Sequence, residues 1–89
     1  MAYGNVSVGT SPTLIVGANT LRLNLICRNI GSAVCYVGQD TNLTTSNGTP
    51  LNQNDVLNED NSGTRGYRGP IYAVVASGTG TMSYWERTQ

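Results

Sequence analysis

The chain has 89 residues, enough for one domain but too few for two hydrophobic cores. Charged residues make up only 11% of it, and the five acidic residues balance five basic ones. A nucleic-acid surface requires clustered cations, which this balance does not provide. No apolar stretch approaches the roughly 20 residues of a membrane span. We therefore expect neither nucleic acid nor a membrane as a partner.

The N-terminal residues and the polar composition indicate where the protein works. Met1–Gly4 and the residues after them show neither the basic region nor the apolar region of a signal peptide. We therefore expect the protein to be made and kept in a cytosol, or in a particle assembled there. Net charge normally keeps the molecules of a monomeric protein apart in solution. A neutral surface rich in Asn, Ser and Thr therefore favours a protein that is part of a larger assembly. The alternative is that this composition reflects chance in a short chain.

The hydrophobic pattern is that of β-strands. Apolar residues alternate at period two, or form short runs that Gly, Pro, Asn or Ser close. We predict an all-β fold, with one domain over residues 1–89 that is a small antiparallel β-sandwich or a jelly-roll-like barrel of six to eight strands. The predicted strands are Asn5–Val8, Thr13–Val16, Leu21–Arg28, Ala33–Val37, Asp55–Leu57, Ile71–Ala76 and Gly80–Glu86.

The third predicted strand, Leu21–Arg28, has the clearest alternation. Its odd-numbered residues, from Leu21 to Cys27, are apolar and predict a core face, whereas Arg22 and Asn24 lie on the polar face. Leu23→Ala or Leu25→Ala is then expected to cost about 2–5 kcal/mol, and Arg22→Ala far less.

Two hairpins are predicted from matching apolar faces. In the first, the turn at residues 30–32 brings Leu25 opposite Val37 and Cys27 opposite Cys35.

In the second hairpin the turn is Ser77–Thr79, so that Tyr72 opposes Tyr84 and Val74 opposes Met82 on the core face.

Four apolar residues then fall on outer faces. Ile71 pairs with Trp85 behind the second hairpin, and Ile26 and Tyr36 lie behind the first. Two interpretations remain open at this point. Either another molecule covers these side chains, or the same chain covers both faces of its own hairpins.

No residues are arranged for catalysis. His and Lys are both absent, so the Ser and Thr hydroxyls have no base to activate them. Cys27 and Cys35 lack the further ligands of a zinc site. A disulfide between them is geometrically possible, but a cytosolic origin favours buried, reduced thiols. We expect a protein that is not an enzyme and that holds no cofactor or metal.

A long polar stretch, Gln39–Gly69, separates the two predicted hairpins and is expected to be mostly irregular. Its Asp55–Asn61 part offers oxygen ligands for calcium, but their spacing is not that of an EF-hand, so a solvated loop is preferred. Near the end of the stretch stand Arg65, Tyr67 and Arg68, residue types that are enriched at binding hot spots.

Four segments resemble small β-sandwich virion proteins of tailed bacteriophages. They are residues 6–16, 28–38, 47–51 and 71–79, with the sequences VSVGTSPTLIV, RNIGSAVCYVG, NGTPL and IYAVVASGT. The resemblance implies a virion component without enzymatic activity, such as a capsid decoration (cement) protein or a tail or neck accessory. Such proteins are often trimeric on the shell. The resemblance assigns no functional residue.

The sequence as a whole favours a structural virion protein. We expect a homo-oligomer, most simply a trimer, that binds the major capsid protein or another virion protein at the capsid surface, after assembly in the host bacterial cytoplasm. The alternative is a receptor- or glycan-binding accessory module of a phage tail or neck, for which Trp85 with Tyr84 and Glu86 is the candidate aromatic shelf. The predicted interface residues are Ile26, Tyr36, Arg65, Tyr67, Arg68, Ile71 and Trp85.

Overall fold

The computed structural model describes residues 2–60 and 67–88, which form eight β-strands in two four-stranded antiparallel sheets. The predicted all-β sandwich is therefore confirmed, and β5 is the one strand that was not predicted. No helix in these residues is long and apolar enough to cross a membrane. The strands are β1 (Ala2–Val8), β2 (Thr13–Val16), β3 (Arg22–Asn29), β4 (Cys35–Gly38), β5 (Thr49–Leu51), β6 (Val56–Asp60), β7 (Ile71–Val75) and β8 (Gly80–Thr88).

The strands pair as in a ribbon folded back on itself. β1 pairs with β8, β2 with β7, β3 with β6 and β4 with β5. Two further pairs, β3–β8 and β4–β7, complete the sheets. The first sheet has the order β1-β8-β3-β6 and the second has the order β2-β7-β4-β5. This is the pairing of an eight-stranded jelly roll.

Neither predicted hairpin forms. β3 and β4 belong to different sheets, and the neighbours of Cys27 are Leu57 and Tyr84 instead of Cys35. β7 and β8 are likewise in different sheets, so Val74 does not oppose Met82. Alternation shows which side chains of a strand point inward, and two inward faces fit equally well side by side or across a core. In these two hairpins the pattern was correct for the inward direction of Leu25, Cys27, Cys35, Val37 and Met82. It was wrong for the direction of Tyr72 and Val74, which lie on the outer side of β7, and wrong for the partners.

The core lies between the two sheets and includes Leu25 and Cys27, as predicted, both with no exposed surface. Ile71 belongs to it as well and is only 4% exposed. Its predicted place on an outer face, paired with Trp85, is therefore wrong. The inward face of β7 is formed by Ile71, Ala73 and Val75, whereas Trp85 points outward from β8 in the opposite sheet.

Arg22 is the most consequential correction, because it is completely buried. The ladder between β3 and β8 shifts register between Arg22 and Asn24, and the extra residue reverses the inward and outward sides of the strand from that point. Leu21 is consequently 53% exposed and Leu23 only half-buried. The predicted core face is right at Leu25 and Cys27 and wrong at Leu21.

The buried guanidinium of Arg22 is satisfied by one carboxylate and three carbonyl groups. Nε donates to Glu86 Oε2 at 2.7 Å, and Nη2 donates to the Gly17 carbonyl at 2.8 Å. Nη1 donates to the carbonyls of Gly69 at 2.9 Å and Tyr67 at 3.3 Å. Removing a charge from water is tolerable only when the charge is paired and hydrogen-bonded, and here four of the five N–H donors have a partner. One side chain thus ties together β8, the β2–β3 loop and the segment before β7.

Asn29 is the corresponding buried polar residue at the other end of β3. Its Nδ2 donates to the carbonyls of Ala33 and Leu51, both at 2.8 Å, and its Oδ1 accepts from the Gly31 amide at 3.1 Å. Its backbone amide donates to the Asp55 carbonyl at 3.1 Å. These bonds fix the path along which the chain leaves the first sheet and enters the second.

The buried ion pair gives a stability prediction that reverses the sequence-based expectation for Arg22. We expect Arg22→Ala or Glu86→Ala to lower the free energy of unfolding by about 3–5 kcal/mol, since each leaves an uncompensated charge or several unpaired carbonyls in the interior. Arg28→Ala, the control on the exposed face of the same strand, is expected to change it by about 0.5 kcal/mol or less. Urea denaturation measures both, and similar losses for Arg22 and Arg28 would contradict the assignment.

The two free cysteines, both buried, give a second prediction. Burial raises the pKa of the Cys27 thiol from 9.0 to about 11, and burial also raises that of Cys35. Because the thiolate is the reactive form, we expect near neutral pH that both thiols react with a thiol reagent only as fast as the protein unfolds. Rapid labelling of native protein, or a Cys27–Cys35 bridge seen by mass spectrometry without reductant, would contradict this.

The same raised pKa sets the direction of a pH effect on stability. The unfolded chain loses the Cys27 proton at a lower pH than the folded protein does. The stability that the neutral thiol supplies is therefore complete below pH 9.0 and is lost as the pH rises to about 11. The unfolding free energy of Cys27→Ala, measured from pH 9.0 to about 11, should therefore lack the loss of stability that ionisation of this thiol causes in the wild-type protein.

Candidate functional site

A row of large apolar side chains crosses the outer face of the first sheet. The ladders place Tyr3 of β1 beside Trp85 of β8, and Trp85 beside Ile26 of β3. Tyr3 is 79% exposed and Trp85 37% exposed, while Ile26 is half-buried. Val56 of β6, which lies opposite Arg28 and two residues along the strand from this row, is 50% exposed. We call these four residues the aromatic face.

The inward partners on β8 determine that Trp85 points out. Tyr84 packs against the core and Glu86 binds Arg22, so the residue between them must face the opposite way. The predicted shelf of Tyr84, Trp85 and Glu86 is therefore wrong, because neighbouring residues of a strand cannot share a face. Trp85 finds its aromatic neighbour across the ladder in Tyr3.

Arginines flank the aromatic face. Arg28 and Arg87 are exposed and extend outward from β3 and β8. Arg28 Nη2 donates to Asn54 Oδ1 at 2.9 Å, a neutral partner that leaves its charge uncompensated. Arg28 and Arg87 thus place positive charge beside the apolar row.

The other predicted interface residues do not join this face. Tyr36 is half-buried on the outer side of the second sheet, on the far side of the domain from Ile26. Tyr67 packs against the core, and its hydroxyl donates to the Pro70 carbonyl. Arg68 Nε donates to the Arg22 carbonyl at 3.0 Å. Tyr67 and Arg68 thus have structural contacts, and their role as attachment anchors stays a prediction. Arg65 lies outside the described residues.

The described part of the predicted irregular stretch, residues 39–60 and 67–69, consists mostly of turns and loops, as expected. It contains β5 and β6, and the loop between β4 and β5 folds back on the domain with Leu43 only 6% exposed. Within this loop the Thr44 amide donates to Asn47 Oδ1 at 2.7 Å, and the Gly48 amide donates to the Thr44 carbonyl at 3.0 Å. This loop is therefore packed against the domain.

Two glycines make room for Leu43. A Cβ atom at Gly38 would lie 2.8 Å from Leu43 Cδ1, and one at Gly48 would lie 2.7 Å from that atom and 2.9 Å from Tyr36 Cβ. The loop therefore approaches the outer side of the second sheet more closely than any larger residue at these two positions would allow.

A cleft of about 370 Å³ lies beside this loop. Its polar lining is formed by Gln39, Asp40, Asn47 and Thr49, and Leu43 contributes an apolar part. A second cavity of about 200 Å³ opens between the sheets and contains Glu59 and Tyr67. These amide, hydroxyl and carboxylate groups can form hydrogen bonds with a small ligand.

The described residues form no metal centre. No group of three or more Cys, Asp or Glu residues in 2–60 and 67–88 is placed to hold a metal ion. The predicted loop at Asp55–Asn61 is instead mostly the strand β6, whose side chains alternate between two faces. Asp55 Oδ2 accepts the Asn52 amide at 2.8 Å in the turn before it. Asn61 lies outside the described residues.

Comparison with protein-family models, with curated proteins and with solved structures finds no match to the chain. Its function has to be inferred from the geometry of its own residues.

The close packing of Leu43 gives a prediction that contrasts two glycine substitutions. Gly48→Ala is expected to lower the free energy of unfolding by about 1–3 kcal/mol, because the added methyl group overlaps Leu43 and Tyr36. Gly9→Ala meets no atom within 4 Å and is the matched control, with an expected change of about 0.5 kcal/mol or less. If the denaturation curves of Gly48→Ala and Gly9→Ala coincided, the loop would not be packed closely against Leu43 and Tyr36.

Proposed function

We propose that this protein is a non-catalytic structural component that attaches to a larger protein assembly through its aromatic face, as a decoration protein does on a phage head shell. The observation that carries the proposal is the row formed by the exposed Tyr3 and Trp85 and the half-buried Ile26. A contiguous apolar patch with a polar margin is typical of a protein-interaction site. Tyr and Trp are also the residue types that contribute most to binding energy at such sites.

The charge pattern indicates what the partner surface looks like. Arg28 and Arg87 at the margin favour a partner with carboxylates around an apolar groove, since complementary potentials set the orientation and the rate of binding. The apolar centre supplies the affinity, because burying it is worth about 25 cal/mol per Å² removed from water. A major capsid protein or another virion protein with such a groove is the partner we propose.

Self-association belongs to the same proposal. A domain of 89 residues has a thin core, and its low charge does little to keep copies apart. A homo-oligomer on a shell of repeated subunits engages several equivalent sites at once. Each further contact then becomes intramolecular, which raises the overall affinity without new kinds of contact.

The cleft beside Leu43 favours a second candidate function, a receptor- or glycan-binding module. Asp40, Asn47 and Gln39 offer the hydrogen-bonding groups that recognise a hydroxylated ligand. This function predicts glycan binding that Asp40→Ala abolishes and Trp85→Ser leaves unchanged. A glycan array probed with these two variants separates it from shell attachment.

The attachment function predicts that the aromatic face is needed for binding and not for folding. Tyr3→Ser together with Trp85→Ser should weaken binding to empty phage head shells by at least about tenfold, equivalent to 1.4 kcal/mol. Leu14→Ser is the control, because Leu14 is 47% exposed but lies on the outer side of the second sheet. Co-sedimentation with the shells measures binding.

Trp85 also serves as an internal probe of this prediction, since it is the only tryptophan of the chain. Its fluorescence emission should move to shorter wavelength when the wild-type protein attaches and the ring leaves water. The proposal would be contradicted if the double substitution left shell binding unchanged and the Trp85 emission did not shift when the wild-type protein attached.

A further inference from the structure

The free edge of β1 lacks the features that normally protect an edge strand. β1 pairs with β8 on one side only, and its seven residues contain neither a charge nor a proline. Beyond the ladder with β8, its backbone forms no further hydrogen bond with the described residues. A row of unpaired N–H and C=O groups on a long, uncharged strand is a template for another strand.

The other three edge strands differ from β1 in this respect. β2 has four residues with an irregularity between Leu14 and Val16, and β5 has three residues that include Pro50. β6 carries Glu59 and Asp60. Short length, bulges, proline and charge are the usual means of blocking strand addition. Among the described strands, β1 alone is open to a partner.

The aromatic face extends to this open edge. Tyr3 is the outermost member of the Ile26–Trp85–Tyr3 row, and with 79% of its surface exposed it is the least covered of the three. Side chains on neighbouring strands pack against each other across a ladder. A strand added to β1 would give Tyr3 the neighbour that the row lacks on this side.

We propose that β1 pairs antiparallel with β1 of a second copy, about a two-fold axis at Asn5, so that the two first sheets become one eight-stranded sheet. This specifies the self-association of the proposed function. Asn5 then faces Asn5 of the second copy, Tyr3 faces its Ser7, and Gly4 faces its Val6. Inward residues meet inward residues and outward residues meet outward ones, as a stable register requires. Centring on Asn5 is the arrangement that pairs all seven residues of β1.

A second copy fits this edge because β1 opposes itself without conflict. β1 carries no charge that would repel β1 of the second copy, and the two strands have the same length because they have the same sequence. The two-fold axis is perpendicular to the sheet, so both aromatic faces point the same way and can bind one shell together. Two copies related in this way replace the trimer expected from the sequence.

The test introduces a charge on the axis. In Asn5→Lys two ammonium groups face each other, and like charges directly opposite destabilise a strand pair. We expect wild-type protein to have twice the 9.4 kDa mass of the chain at high micromolar concentration, by light scattering after size exclusion, and Asn5→Lys to have the monomer mass. Asn58→Lys is the matched control on the same face of β6, at the opposite edge, and should remain dimeric.

A charge swap then separates pairing from a general effect of charge. Asn5→Glu alone should also be monomeric, whereas an equimolar mixture with Asn5→Lys should recover the dimer mass, because opposite charges now meet on the axis. A monomeric or trimeric wild-type protein, a dimer that Asn5→Lys leaves intact, or a mixture that stays monomeric would overturn the proposal. All these measurements use the protein without shells. Loss of shell binding in the Tyr3/Trp85 variant therefore tests the proposed function separately.

Discussion

The buried pair of Arg22 and Glu86 is the constraint on which the arrangement of the first sheet depends. A guanidinium without water must have its donors satisfied, and the donors of Arg22 bring together groups that are up to 69 positions apart in numbering, from Gly17 to Glu86. The register shift in β3 makes this burial possible. Because Glu86 must point inward to meet Arg22, Trp85 must point outward. The residue that gives the aromatic face its character is thus exposed as a consequence of an ion pair in the interior.

The two outer faces of the sandwich differ for a physical reason. On the second sheet the β4–β5 loop folds back with Leu43 buried, and Val74 on that side is only 3% exposed although it lies outside the main core. On the first sheet no described loop covers Tyr3 and Trp85 to a similar degree. The exposed aromatic side chains Tyr3 and Trp85 therefore lie together on the first sheet, whereas the large apolar residue exposed on the second sheet is Leu14. This asymmetry suits a protein that binds with one face and presents the other to solvent.

The aromatic face and the β1 edge are parts of one surface. Tyr3 belongs to both, since it is the last residue of the row and lies on the edge strand β1. Strand addition supplies directional backbone hydrogen bonds, and the apolar row supplies non-directional burial. Pairing of two copies through β1 would place two apolar rows on the same side of the joined sheet. A small domain with a thin core can in this way build a wide binding surface from a short chain.

The sequence by itself determined the fold class, seven of the eight strands, and the direction of Leu25, Cys27, Ile26 and Trp85, because alternation at period two is a local property of a strand. It did not determine which strands pair. In a jelly roll most partners are distant in sequence, and an inward apolar face fits a neighbour in the sheet as well as one across the core. For that reason both hairpins and the outward position of Ile71 were wrong, and Tyr3 was missed as a neighbour of Trp85. The burial of Arg22 needed a register shift, the nearby Gly17 carbonyl and three distant partners at Tyr67, Gly69 and Glu86. Only the tertiary structure brings these groups together.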